Sequence, residues 1–216
     1  MPRRALIERR PWLLGSVLAA LAFIWLENSR LPGLYLLGLK AAPLLFLAVY
    51  AVLRHRGNDT RMLAGMLVCE GVGTALYDYL PYASIVLIII GIGLGIGLFT
   101  SHRRAQLTGS QKGAVTAILL ITPVIGFLLA SPEMRITALV FMVAVGGMAA
   151  SAWASTFPRY RVGAGAVVIM AANLLAIAAE GLMQRELWMA HFAWPLFYFG
   201  NLMLSTGVTV ELRSRR

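Results

Sequence analysis

Eight stretches of predominantly apolar residues, separated by short runs that hold nearly all of the charge, constrain this chain of 216 residues more than any other feature. They run near Pro11 to Leu26, Leu34 to Leu53, Met62 to Tyr77, Tyr82 to Thr100, Gly113 to Ala130, Ile136 to Thr156, Val162 to Leu182 and Leu187 to Val210. The hydrocarbon core of a bilayer is about 30 Å thick, and a helix rising about 1.5 Å per residue crosses it in about 20 residues. Segments of this length and spacing predict a polytopic helix bundle. Composition agrees, with 59% apolar and 13% charged residues against about 45–50% and about 25% in a soluble domain. So few charges cannot furnish the polar shell that a water-soluble domain needs. The expected fold is all-α: one transmembrane domain over residues 1–216 with about eight membrane helices.

The distribution of Lys and Arg sets an orientation, because positive residues are retained on the cytoplasmic side. Arg3, Arg4, Arg9 and Arg10 precede the first segment; Arg54, Arg56 and Arg61 lie between the second and third; Arg103, Arg104 and Lys112 lie between the fourth and fifth. Arg159 and Arg161 fall between the sixth and seventh, and Arg213, Arg215 and Arg216 follow the eighth. The opposite side holds Arg30, Arg135 and Arg185. Fifteen against three, alternating through every connection, predicts both termini in the cytoplasm. The first segment ends in Glu27-Asn28-Ser29-Arg30 with no small-x-small cleavage site, so it is expected to remain as a helix.

The net charge of +10 raises the question of nucleic acid. The basic residues sit in short loops without interleaved aromatics or a recognised nucleic-acid fold, so no such partner is expected. Anionic lipid head groups are the expected counter-charge at the cytoplasmic loops. One cysteine, Cys69, leaves no disulfide framework, three scattered histidines give no metal spacing, and no cofactor motif is present. Tryptophans Trp12, Trp25, Trp188 and Trp194 stand towards segment ends, where interfacial anchors belong.

Ionisable groups at membrane depth cost about 2.5–3.5 kcal/mol each on insertion scales, so each needs a partner, a cavity or a function. Lys40 and Glu70 fall near mid-depth of the second and third segments, with Asn173 and Asn201 in the seventh and eighth. All four can meet in one interior cluster. Lys40 and Glu70 read either as a structural ion pair or as a polar site open to substrate or protons. Whether desolvation or Lys40 governs the ionisation of Glu70 is left open by the sequence. Asp78, Glu180 and His191 lie nearer the outer surface, where solvated helix ends are the simpler reading. Glu180 follows Asn173 by seven residues on one helical face and can line the mouth of the same cavity.

Gly91, Gly93, Gly95 and Gly97 form overlapping small-xxx-small registers, expected to pack helices closely rather than to bind a nucleotide, since no strand precedes them. Pro43, Pro123 and Pro195 lie inside apolar segments and are expected to mark kinks. A Ser/His/Asp triad is not supported, for want of a nucleophile elbow.

Several of these segments resemble the YhhN family of bacterial integral membrane proteins, whose animal relatives are lysoplasmalogenases. The second segment's Leu39-Lys40-Ala41-Ala42-Pro43-Leu44-Leu45 is similar to the family's Lys-Pro opening, with the proline displaced. Leu63-Ala64-Gly65 leading to Gly73-Thr74-Ala75-Leu76 is similar to a helix in which the family carries Gly-Asp, so Thr74 stands at the acid. Gly165-Ala166-Val167-Val168-Ile169-Met170-Ala171-Ala172-Asn173 matches a Gly-Ala motif that ends in Ser-Asp or Ser-Asn, and Phe197-Tyr198-Phe199-Gly200-Asn201 resembles the last helix's aromatic pair.

The resemblance implies an inner-membrane hydrolase that cleaves the vinyl-ether bond of lysoplasmalogen-type lysophospholipids. Its two acidic positions become Thr74 and Asn173 here, and Glu70, one turn before Thr74 on the same face, is the expected replacement. On this reading Glu70, Asn173 and Lys40 carry the chemistry, while Thr74, Tyr198, Asn201, Asp78 and Glu180 line the substrate. Two other classes stay open: a non-catalytic lipid-binding relative, and a small transporter or proton relay using Lys40 and Glu70. The sequence does not give the oligomeric state.

Overall fold

The computed structural model describes residues 10–181 and 187–215. Arg3, Arg4, Arg9, Arg185 and Arg216 of the charge pattern, and Leu182 at the expected end of the seventh segment, lie outside the described residues, as does the side chain of Trp188. Among the described residues the helices are α1 (Arg10–Leu26), α2 (Gly33–Arg54), α3 (Asn58–Leu76), α4 (Pro81–Ser101), α5 (Gly109–Leu129), α6 (Arg135–Ala154), α7 (Ala164–Glu180) and α8 (Leu187–Ser214). A π-helical turn, Arg159–Gly163, leads into α7, and no strand is present among these residues.

Each expected segment coincides with one helix, and the ends differ for a physical reason. Apolar length marks bilayer depth, whereas a helix continues until its backbone finds a cap. Hence α3 begins at Asn58 and α5 at Gly109, each four residues before its apolar stretch. At the start of α5 the Thr108 amide donates to Gln111 Oε1 at 3.2 Å, and Gln111 is buried.

Among the described residues, five spans are long and apolar enough to cross a membrane: α2, α4, α5, α6, and the π-helical turn continued through α7. At 17 residues α1 is shorter, and α3 carries Asp59, Arg61 and Glu70 within its length. Large apolar side chains cover the outer faces of several helices. On α1, Leu14, Leu18, Leu21 and Trp25 face outward while Ser16, Ala20 and Phe23 are buried. On α6, Ile136, Val140 and Val143 face outward while Gly146, Ala149, Ala150 and Ala152 lie inside. Small residues on the buried faces let helices approach closely, as association in lipid favours, while Leu44, Leu47, Leu63, Phe99 and Phe157 are fully buried beside them. These are the helices of a multi-pass integral membrane protein.

Two units are distinguished by contact: Met1–Gly95 with Leu212–Arg216, and Ile96–Glu211. In the first, α2 packs against both α1 and α3. The Ser16 hydroxyl donates to the Pro43 carbonyl at 2.8 Å, tying α1 to α2 inside the unit. The first part of α4 lies on α3, where a Cβ at Gly73 would stand 2.7 Å from Ile88 Cγ1. In the second unit α5, α6 and α7 pack mutually, and α7 meets α8 backbone to backbone at Gly165 and Gly200. Pro43, Pro123 and Pro195 all lie inside unbroken helices.

Candidate functional site

In the first unit α3 carries two of the expected residues, Glu70 and Thr74. Glu70 lies six residues before the end of α3, about 9 Å along the axis, and is 1% exposed. Glycine makes that burial possible. A Cβ on Gly91 would stand 3.1 Å from Glu70 Cγ and 3.2 Å from both Cys69 Cβ and the Met66 carbonyl oxygen. Thus α4 approaches at Gly91 and closes over the stem of the carboxylate side chain. Gly71, next in sequence, lets α2 approach from its side: a Cβ there would stand 2.9 Å from Leu44 Cβ.

Lys40 is paired with Asp78 at 3.4 Å rather than with Glu70. The reason is geometric. Lys40 lies seven residues into α2, about 10 Å from its start, and its flexible stem lets the ammonium reach Asp78, just beyond the end of α3. The Lys40 side chain is 20% exposed and that of Asp78 68% exposed. Such a pair sits at the rim of the unit, where water and head groups screen it.

Thr74 spends its hydroxyl on its own helix. It donates to the Glu70 carbonyl at 2.8 Å and to the Gly71 carbonyl at 3.2 Å, a bond pattern that satisfies the side chain locally. Ser84 was not singled out by sequence reasoning, yet its side chain is completely buried on α4. Its hydroxyl has no hydrogen-bond partner among the described residues. A lone hydroxyl in the first turn of an otherwise apolar helix was the available signal.

In the second unit the Asn173 amide donates to the Ile169 carbonyl at 2.8 Å, one turn earlier on α7. Asn201 is completely buried and donates to the Phe197 carbonyl at 3.3 Å. Its side-chain oxygen has no partner among the described residues. Tyr198 is buried and stacked on Trp194, with ring centroids 6.0 Å apart and planes 9° from parallel. Glu180 and His191 are exposed. A shallow apolar groove of about 310 Å³ is lined by Phe192, Pro195, Leu196 and Phe199, none of them an expected site residue.

The glycine run of α4 divides. Gly91 packs tightly on α3, whereas a Cβ on Gly93 would meet nothing within 4 Å. Among the described residues no group of three or more His, Cys, Asp or Glu is placed to hold a metal ion. Compared with protein-family models, with curated proteins and with solved structures, the chain matches none.

Proposed function

We propose that this protein is an eight-span enzyme of the bacterial cytoplasmic membrane, with both termini in the cytoplasm, that cleaves the vinyl-ether bond of lysoplasmalogen-type lysophospholipids in the manner of the YhhN family it resembles. The observation that supports the reading is the burial of Glu70, 1% exposed on α3, one helical turn before the residue that the resemblance aligns with an acid. A carboxyl group kept there against the cost of insertion marks a function more often than a packing role.

The chemistry follows from one carboxyl acting twice. In its protonated form Glu70 gives its proton to the alkenyl carbon β to the ether oxygen, and the oxygen lone pair moves in to form an oxocarbenium ion. The resulting carboxylate stabilises that cation and then accepts a proton from the water that adds to it. Collapse of the hemiacetal releases the aldehyde and the glycerophospho head group. Thr74 and Ser84 flank the reacting region on α3 and α4, and Lys40 with Asp78 stands at the rim where a phosphate head group would enter.

The test is turnover of alkenyl and acyl lysophospholipids by purified protein and by Glu70→Gln, with thermal stability in detergent measured beside it. A folded Glu70→Gln protein without turnover supports the reading, and full turnover in that variant removes Glu70 from the mechanism. The hydrogen bonds that tie Thr74 and Asn173 to their own helices favour a second reading, a lipid-binding relative without catalysis. It predicts lysolipid binding by the wild type with no aldehyde released. Proton flux in proteoliposomes would instead identify a relay through Glu70.

A further inference from the structure

The connection between α4 and α5 is locked to the connection between α6 and α7. The Thr156 amide donates to the His102 carbonyl at 2.8 Å and the Arg104 amide to the Ala154 carbonyl at 3.1 Å, and Arg103 and Ser155 pair as an isolated antiparallel bridge. Phe157 fills the space beneath, wholly buried, with its ring 5.0 Å from that of His102 and 6.2 Å from that of Phe99. This clasp fixes one guanidinium. Arg104 Nε donates to the Ser155 carbonyl at 2.7 Å and Arg104 Nη2 to the Phe157 carbonyl at 3.4 Å. Two residues beyond Phe157 stands Arg159, at the start of the π-helical turn.

Arg104 and Arg159 are both half-buried, and neither has a carboxylate partner among the described residues. Arg159 Nε is buried with no hydrogen-bond partner among the same residues. Burial, and then the nearby Arg159, lower the pKa of Arg104 from its ordinary value. Two cations held close together without an anion are a cost to the fold. The fold nonetheless secures Arg104 with two carbonyl bonds, which leaves its remaining N–H groups, and the N–H groups of Arg159, able to bond an anion.

We infer that Arg104 and Arg159 form a binding site for a phosphate group at the membrane surface, where the α4–α5 and α6–α7 connections are clasped together. Planar guanidinium forks match the oxygens of a phosphate monoester or diester with paired N–H donors. The setting favours the phosphate of an anionic phospholipid. The clasp joins the ends of four apolar helices, and Tyr160, beside Arg159, is 89% exposed, in the position of an aromatic that sits among head groups.

The experiment compares wild type, Arg159→Gln, Arg161→Gln and Arg104→Lys, each in nanodiscs of mixed phosphatidylcholine and phosphatidylglycerol. Arg161 is an exposed neighbour with the same charge, so its variant reports diffuse attraction alone. Native mass spectrometry of the released protein reads the preference for retained phosphatidylglycerol over phosphatidylcholine. Arg161→Gln is expected to lose at most about fivefold of that preference, the share of one basic residue at an anionic surface, and Arg159→Gln to lose more than that. Arg104→Lys keeps the charge but loses the fork, and is expected to fall between them with its fold intact. A parallel arm adds inorganic phosphate to protein in phosphatidylcholine alone and follows thermal stability. A phosphate-dependent rise that Arg159→Gln abolishes would assign the site to free phosphate in place of lipid. Equal losses in Arg159→Gln and Arg161→Gln, or no retained lipid together with no phosphate effect, would overturn the inference.

Discussion

Replacing Gly165 or Gly200 with alanine should destabilise the second unit more than the same change at an open glycine. The two glycines face each other where α7 crosses α8. A Cβ on Gly165 would stand 2.8 Å from both the Gly200 carbonyl oxygen and the Leu204 amide nitrogen. A Cβ on Gly200 would stand 2.7 Å from Ile169 Cγ1 and 2.8 Å from the Gly165 carbonyl oxygen. Most of these neighbours are backbone, so no rotamer change relieves the contact. Carbon contacts settle near 3.5–4.0 Å, so the helices must separate by about 0.7 Å at the crossing, and surrounding side chains lose part of their dispersion energy.

Overpacking of this kind costs about 1–3 kcal/mol, and alanine recovers about 0.5–1 kcal/mol through its helix propensity. The net loss is therefore about 1–2 kcal/mol for either single variant. The double variant should lose less than the sum, because one separation accommodates both methyl groups. Gly93→Ala is the control, since nothing lies within 4 Å of a Cβ there, and it should be neutral or slightly stabilising. Reversible unfolding by SDS titration in mixed micelles measures all four. Gly165→Ala and Gly200→Ala proteins as stable as Gly93→Ala would refute the claim that this crossing is set by backbone contact.

Three further outcomes follow from the geometry. Lys40→Met and Asp78→Asn should each change stability by less than about 1 kcal/mol, as exposed ion pairs do, and a double-mutant cycle should show a coupling that shrinks with added salt. From the charge pattern, reporter fusions after the described carboxy-terminal helix and at the amino terminus should both signal the cytoplasm; signals on opposite sides would mean that the number of spans is odd, and periplasmic signals at both ends that the orientation is inverted. Arg104→Gln should remove two hydrogen bonds to carbonyls, worth about 1.5–3 kcal/mol each when the donor is charged; limited proteolysis should then cut the α4–α5 connection faster than in wild type.

The sequence by itself determined where the helices lie. Apolar length is a local property read against a fixed bilayer thickness, and a span from Tyr82 to Thr100 or from Leu34 to Leu53 can hardly be anything but helix once it enters lipid. The boundaries α3 and α5 reached beyond those stretches were less legible, because caps such as Gln111 act where hydropathy has already ended. The presence of Glu70 inside an apolar segment was also legible, but its burial was not, because Lys40 lies at a similar distance from a helix end and reaches the rim.

What occupies the space around each helix was decided by the tertiary structure alone. Rotation about the helix axis and relative depth do not follow from a hydrophobic run, so Lys40 found Asp78 rather than Glu70. For the same reason Gly91 packs on α3 while Gly93 faces open space, although the two stand in one repeating pattern. The Gly165 and Gly200 of two short sequence motifs became the crossing point of α7 and α8 only when those helices were brought together. Arg104 read as an ordinary loop charge until the clasp placed it on the carbonyls of Ser155 and Phe157, two residues before Arg159. Through-space neighbours belong to the packed state, and in lipid, where burying large apolar side chains between helices gains little, small residues and hydrogen bonds choose those neighbours.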